Sequence, residues 1–318
     1  MHKEKVLVTG ASGFAGQHLV DCLKQDYEVI GLASPRASLP SQHGIIYFKV
    51  DITDSEAVDA IVSAQRPEFI IHLAAQTTGW FQNPRQIFDI NLTGTINLYE
   101  SVVTLKNKDG YDPKILYISS SEVYGKTTNP KLIDEDAPFF PVNHYASSKA
   151  AADRVSYDYS QSNKLDILIL RAFTHTGPGK KQGSFVSDMA SQIVHLERDP
   201  SDNEMYVGNL DAIRDYLDVR DMVNAYKLTL KADLPRGTAL NVCSGTGVKV
   251  RDILDIMIKL AKKEIVVKTD PGRMRPSDVP VFIGDNSKLV LATGWKRSIQ
   301  LADTLNEALE YWRKSTEV

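Results

Sequence analysis

Cysteine is almost missing from this 318-residue chain: there are two, Cys22 and Cys243. They lie far apart, without CxxC or Cys/His ligand spacing, so neither a disulfide framework nor a zinc site is expected, and no metal site of another kind is indicated. A reducing cytoplasm fits that usage. Charge of one sign is lacking as well. Lys and Arg number 37 against 40 Asp and Glu, a formal net charge of -3, and no basic block resembles a nucleic-acid or anionic-membrane surface. Long apolar runs are missing, which excludes a membrane-spanning helix. Met1-His2-Lys3 passes straight into an apolar strand, with no signal-peptide pattern. Internal repeats and low-complexity tracts are absent too. A cytoplasmic protein that binds neither nucleic acid nor membrane is expected, with 42% hydrophobic residues to fill a large core.

What is present is an alternation. From Lys5 to about Arg171, short apolar runs at residues 5–9, 28–32, 45–50, 69–73, 115–119 and 166–170 read as strands buried on both faces. Helical patterns at 13–24, 55–65, 91–105 and 145–162 fill the gaps, the second starting after Asp54. Such βαβ units predict an α/β fold, a Rossmann-type doubly wound parallel sheet with right-handed crossovers. Beyond Arg171 the rhythm changes. A Gly177-Pro178-Gly179 loop, a helical run at 185–197 and strand-like pieces at 205–207 and 240–243 read as a lid, and 270–280 reads as an ordered Pro/Gly/Arg-rich loop. The division expected is a dinucleotide-binding domain, residues 1–171 with part of 209–245, and a smaller C-terminal α/β substrate domain, 172–208 and 246–318.

Gly10, Gly13 and Gly16 have GxxGxxG spacing at the end of the first strand, where the next helix opens. One glycine permits the tight turn, one lets the backbone approach a pyrophosphate, and one lets the helix pack close to the sheet with its N-terminus toward the anion. Glycine triplets alone are common in loops; the strand, turn and helix context is what points to a dinucleotide. About twenty residues on, a carboxylate would be needed to grip the adenosine ribose diol of NAD(H). The segment instead offers Ser34, Pro35 and Arg36, which suits the 2′-phosphate of NADP(H), with NAD(H) the alternative. Asp51-Ile52 after the third strand meets the adenine or caps a turn.

Tyr145 and Lys149 stand four residues apart at the start of a helix, hence on one face. A phenol with an ordinary pKa of about 10 is a poor proton-transfer group at neutral pH, and a fixed positive charge nearby is expected to lower it. The fifth strand ends in Ser119-Ser120-Ser121-Glu122, at the sheet edge where ligands bind. Ser120 is placed to hydrogen-bond a reacting carbonyl, and Glu122 to act as base or to hold a sugar hydroxyl. Turn capping by Ser119 and Ser121 is the competing reading.

These residues resemble the extended short-chain dehydrogenase/reductases that modify nucleotide sugars, over essentially the whole chain. TGASGFAG, HLAAQT at 72–77, Asn91, SSSEVYG and YASSK stand in the family's order. The resemblance implies a cofactor site formed by Gly10, Ser12, Gly13, Phe14, Ala15, Gly16, Ser34, Arg36, Asp51, Ile52, Leu73, Ala74, Ala75, Asn91, Tyr145 and Lys149. It implies a catalytic group of Ser120, Tyr145 and Lys149, with Glu122 beside them. The segment Arg171–Gly179, GNLDAIRDYLDVRD, NVCSG and RMRPSDVP are similar to the GDP-4-keto-6-deoxy-D-mannose reductases, which make GDP-D-rhamnose, and less closely to the longer GDP-mannose 4,6-dehydratases. That implies a GDP-linked 4-keto-6-deoxyhexose as partner, held by Thr77, Ser120, Ser121, Thr174, Arg214 and Arg275, and a homodimer through the helices at 91–105 and 145–162. Two positions depart from the pattern: Thr174 replaces an asparagine, and the arginine after the second strand stands at Arg36 rather than at Ser34. A dehydratase, for which Glu122 would be the base, a 4-epimerase, and a catalytically silent scaffold on the same fold are the readings that a reductase must beat.

Overall fold

The computed structural model describes residues 3–39, 44–76, 83–126, 132–273 and 279–315. Strands β1 (Lys5–Thr9), β2 (Glu28–Ala33), β3 (Ile46–Lys49), β4 (Phe69–His72), β5 (Lys114–Ser120) and β6 (Ile167–Ala172) form where the continuous apolar runs predict them. Between them come α1 (Phe14–Leu23), α2 (Ser55–Gln65), α3 (Pro84–Phe88), α4 (Gly94–Asp109) and α5 (His144–Ser162). Asp54 caps α2 by accepting from the Ala57 amide at 3.1 Å, the local reason the helix begins where it does.

The strands pair in parallel in the order β3-β2-β1-β4-β5-β6, and the edge beyond β6 is taken by Ala239–Val242. The order reverses at β1 and β4, so a crevice opens at their carboxyl ends, the ligand position in a doubly wound sheet. Apolar clusters fill both faces. One joins the sheet to α1, and the other joins it to α2, α4 and α5.

The second half supplies β7 (Thr174–Thr176), α6 (Phe185–Arg198), β8 (Glu204–Val207), β9 (Ile213–Asp218), α7 (Val219–Thr229) and β10 (Ala239–Val242). Then follow β11 (Gly247–Lys249), α8 (Val250–Lys259), β12 (Val266–Thr269), β13 (Val281–Phe282), α9 (Ser287–Thr293) and α10 (Leu301–Lys314). Part of this half is sheet rather than lid, because β10 completes the large sheet and α7 packs against α1. A smaller sheet has β9 flanked by β11, β13 and β7, and β8 pairs with β12. A separate core gathers α6, α8 and α10 around Met205, Ile253 and Trp312.

One expected boundary is corrected. Asn91 does not open a helix: the helical stretch begins at Pro84, capped by Asn83, which accepts from the Arg85 amide at 3.0 Å. Asn91 lies inside a π-turn, Asp89–Thr93, that joins α3 to α4. The wider turn frees its side chain from the helix surface, a common device at functional sites.

The α5 helix is held by charge more than by volume. Its inner face is Ala146, Ser148, Ala150, Ala152 and Ser156, side chains too small to anchor a helix by apolar area alone. Asp153, completely buried, instead receives Arg171 of β6 through Nε at 3.0 Å and Nη2 at 3.2 Å, and the Ser119 hydroxyl of β5 at 2.7 Å. Arg171→Met would leave that carboxylate buried and unpaired, so a loss of about 3–5 kcal/mol is expected, read as a lower midpoint in urea unfolding; an unchanged midpoint would show that α5 is held otherwise.

Candidate active site

A cavity of ≈ 1030 Å³ opens along the carboxyl edge of the large sheet, from the glycine loop after β1 to the end of β6. The geometry of that loop fits a dinucleotide. Gly10 has φ +70, and a Cβ there would approach the Ala74 amide nitrogen at 2.9 Å. A Cβ on Gly16 would lie 2.2 Å from the Gly10 carbonyl oxygen, so α1 reaches its packing distance only with glycine. The first turn of α1 has no side-chain cap and no acidic residue, which leaves its amides open to a pyrophosphate.

The cavity brings together most of the residues the sequence points to. Gly10, Ser12, Gly13, Phe14, Ala15 and Gly16 line one end, with Leu73, Ala74 and Ala75 of the neighbouring strand end. Ser34 and Arg36, both exposed, lie at the rim with Asp51 and Ile52. Asp51 also accepts from the amide and hydroxyl of Thr53, at 3.0 and 2.8 Å. Ser120, Ser121, Glu122, Tyr145, Lys149 and Thr174 line the other end. Two residues fall elsewhere. Asn91 is buried behind the wall, and Arg214, on β9, is outside the cavity with Nη1 on the Ile213 carbonyl at 2.8 Å. Thr77 and Arg275 lie outside the described residues.

At the catalytic end the serines take roles that the sequence had distributed differently. Ser120, not Ser119 or Ser121, caps the short helical turn Ser121–Tyr124 by accepting from the Glu122 amide at 3.2 Å. Its own proton stays available to be donated toward the Tyr145 phenol, whose pKa it works to lower. Ser119 is spent on Asp153. Glu122 accepts from Asn143 Nδ2 at 3.0 Å, and Asn143 in turn caps α5 on the Ala146 amide at 2.7 Å.

Lys149 is 2% exposed. Its Nζ donates to the Ile118 carbonyl at 2.6 Å and stands 4.4 Å from the centre of the Tyr117 ring. Burial pushes its pKa down to about 7, against the opposing pull of Asp153. The expectation that a neighbouring charge lowers the Tyr145 pKa is reversed in this structure. Burial, then the Glu122 charge, push that phenol up, and only the Ser120 hydrogen bond works the other way. Lys149 directs its ammonium to the Ile118 carbonyl, and its charge is not among the causes that shift the phenol in the ligand-free protein.

A buried hydrogen-bond chain that the sequence reading missed links the two ends. The Ala74 amide donates to Thr9 Oγ1 at 3.0 Å, which meets His72 Nδ1 at 2.7 Å. His72 Nε2 meets Thr95 Oγ1 at 2.9 Å, and that hydroxyl donates to the Asn91 carbonyl at 2.7 Å. Because the Thr95 proton is committed to Asn91, Thr95 must accept from His72. The imidazole is therefore neutral with its proton on Nε2, and Thr9 donates to Nδ1. Burial, with Lys149 adding to it, pushes His72 down to about 3, in agreement. Asn91 completes the chain. Its side chain holds Gln76 through the amide at 2.7 Å, and its Nδ2 reaches Ser148 Oγ at 2.9 Å, which donates to the Tyr145 carbonyl at 2.8 Å.

A dinucleotide groove that ends on Ser120, Tyr145 and Lys149 defines a short-chain dehydrogenase/reductase, an NAD(P)-dependent oxidoreductase of Rossmann fold. The family model described as GDP-mannose 4,6 dehydratase matches residues 7–308, and the chain belongs to that family. It is 33% identical to the GDP-6-deoxy-D-mannose reductase of Pseudomonas aeruginosa, over 97% of each chain. It is 31% identical to the GDP-6-deoxy-D-talose 4-dehydrogenase of Aggregatibacter actinomycetemcomitans, over 91% of each. The structure of RMD from Pseudomonas aeruginosa complexed with NADPH superposes with a TM-score of 0.83 at 32% identity, covering 98% of both chains.

The depressed Lys149 pKa has a measurable sign. Between about 7 and the ordinary 10.5 the unfolded chain binds the proton that the folded one refuses, so stability rises with pH across that window. Lys149→Met is expected to have a higher Tm than the parent, by a margin that grows as pH falls from 10.5 toward 7 and then levels off. A margin independent of pH would overturn the assignment.

Proposed function

We propose that this protein reduces the C4 keto group of GDP-4-keto-6-deoxy-D-mannose with NADPH, giving GDP-D-rhamnose or its C4 epimer. The observation that carries the reading is chain-long similarity to two relatives whose names place their chemistry on a GDP-6-deoxyhexose, joined to a Ser/Tyr/Lys group at the floor of the cavity. When bound, NADPH supplies a hydride for C4. The chain supplies the rest. Tyr145, held protonated at neutral pH by burial, gives its proton to the developing alkoxide. The Ser120 hydroxyl hydrogen-bonds the same oxygen, and Lys149, with both protonation states populated near pH 7, offers charge to the tyrosinate left behind. Most of the acceleration comes from holding carbonyl and nicotinamide in register.

The division into a cofactor-binding part, residues 1–171 with part of 209–245, and a substrate-binding part, residues 172–208 with 246–318, belongs to this proposal. Arg36, exposed at the cavity rim, is the proposed partner of the 2′-phosphate. Thr77, Thr174, Arg214 and Arg275 are proposed substrate contacts, as is Ser121. The homodimer through α4 and α5 belongs to this proposal; an exposed Tyr157 on α5 supports it. So does the cytoplasm as the site of action, since both cysteines are free. Among the described residues no helix is long and apolar enough to cross a membrane.

Mixing the protein with GDP-4-keto-6-deoxy-D-mannose and NADPH is expected to oxidise one NADPH per sugar and to give a 6-deoxyhexose by NMR. Tyr145→Phe should cut kcat by about 10²–10⁴ while the Kd for NADPH holds; near-normal turnover would remove the tyrosine from the mechanism. Formation of a 4-keto-6-deoxy sugar from GDP-mannose with no net NADPH consumption would favour a dehydratase that uses Glu122 as base. Arg36→Ala should weaken NADPH roughly tenfold and leave NADH unchanged; equal effects on the two cofactors would assign Arg36 to the rim alone.

A further inference from the structure

Among the described residues, four buried side-chain oxygens have no hydrogen-bond partner: those of Tyr117, Thr176, Ser184 and Tyr226. Ser184 and Tyr226 line the cavity, and of these only Tyr226 is wholly buried, at 0% exposure. Buried hydroxyls are nearly always paired, so an orphan at a ligand site asks what pairs it.

The position of Tyr226 narrows the answer. It stands on α7, in the apolar stripe Val219, Met222, Val223 and Tyr226 that faces the sheet. The first residue of α7 lies under Gly177, where a Cβ would come 2.9 Å from Val219 Cγ1 and 4.0 Å from Phe14 Cζ, so the N-terminus of α7 is the cavity end. Long helical side chains point back toward the N-terminus of their helix, which sends the Tyr226 phenol toward the cavity from the sheet face opposite α5. Ile118 and Ala172, at the ends of β5 and β6, line the same stretch of wall and belong to the same core cluster. A phenol is un-ionised and a donor at neutral pH, and burial, with the Tyr145 charge adding to it, raises the Tyr226 pKa further. The catalytic end of the groove is thus bounded by Tyr145 on one sheet face and by Tyr226 on the other, with apolar strand ends between them.

We infer that the Tyr226 hydroxyl is a built-in donor for the carboxamide of the nicotinamide ring, fixing which edge of the ring enters the pocket. Ile118 and Ala172 give that stretch of wall an apolar surface that suits a planar ring, and the carboxamide oxygen is the acceptor that such a ring carries at its edge. The inference rests on the reading of the cavity as a nicotinamide dinucleotide site. It adds a residue that neither the glycine spacing nor the Tyr/Lys pair announces, since Tyr226 in sequence is one more apolar position of an amphipathic helix.

The test is Tyr226→Phe, followed by binding and by thermal unfolding. Removing a hydroxyl that has no protein partner should leave the ligand-free Tm equal or raise it, while the Kd for NADPH rises roughly five- to tenfold. The Kd for 2′-phospho-ADP-ribose, which keeps the diphosphate and lacks the nicotinamide, should not move. Unchanged NADPH affinity in the variant, with the parent binding NADPH normally, would assign the hydroxyl to a buried water and overturn the inference. Equal weakening of both ligands would also overturn it, by showing a general distortion of the groove. Failure of the parent itself to bind NADPH would instead sink the cofactor reading on which the inference stands.

Discussion

The carboxylate of Asp153 is the constraint on which the catalytic arrangement depends. It is inside the protein, it neutralises Arg171, and it accepts from Ser119. Arg171 then extends the same tie outward, donating to the Tyr124 hydroxyl at 3.0 Å and the Glu135 carbonyl at 2.7 Å. Tyr124 donates to Asn241 of β10 at 2.7 Å. Two strands, a helix, a turn and the sheet edge are therefore locked by one charged centre. Because Asp153 lies one turn beyond Lys149 on α5, the same group is also what opposes the drive to discharge the buried lysine. Anchor and electrostatic partner are a single residue, which makes the register of α5 and the protonation of its lysine inseparable.

A second tie, uncharged, sets the other end of that helix. The chain of donors from Ala74 through Thr9, His72 and Thr95 to Asn91, and on through Ser148 to the Tyr145 carbonyl, has one direction for every proton. A chain with no alternative proton arrangement is stiff, and low surrounding polarity strengthens each link. It explains the π-turn. An ordinary α-turn at Asn91 would rotate the side chain away from either Gln76 or Ser148, whereas the wider turn lets one amide hold both. The loop that approaches the dinucleotide and the tyrosine that acts on the substrate are thereby fixed relative to each other, over residues far apart in sequence.

Much of this was legible in the sequence because it rests on local rules. Strands buried on both faces read as continuous Val/Ile/Leu runs, glycine spacing marks a turn that only glycine makes, and a Tyr and a Lys four apart on a helix share a face whatever the tertiary context. The helix start at Pro84 was equally readable, since Asn83-Pro84 is a cap followed by a proline at the first helical position, yet the apolar spacing after Asn91 drew the boundary there. What escaped is what depends on long-range packing. Ser119, Ser120 and Ser121 look alike in sequence, and only the approach of α5 decides that Ser119 faces Asp153 while Ser120 faces Tyr145. Arg214 sits in a pattern resembling a diphosphate clamp, and that its strand belongs to the smaller sheet is not readable from that pattern. The direction in which Tyr145 shifts is not readable from the Tyr/Lys spacing, which shows the charge of Lys149 and not the cost of burying the phenol.

That cost bears on how the groove meets an anionic ligand. Burial depresses Lys149 and Lys180, and it holds His175 down at about 4 with Lys180 adding to it. Lys180 stands 4.6 Å from the centre of the Phe14 ring beside the glycine loop, and among the described residues no carboxylate forms an ion pair with it. Burial thus holds a lysine at each end of the cavity below the ordinary lysine range. A diphosphate on the open amides of α1 would bring negative charge to the Lys180 end and favour the charged lysine there, and by linkage the charged lysine would hold the anion more tightly.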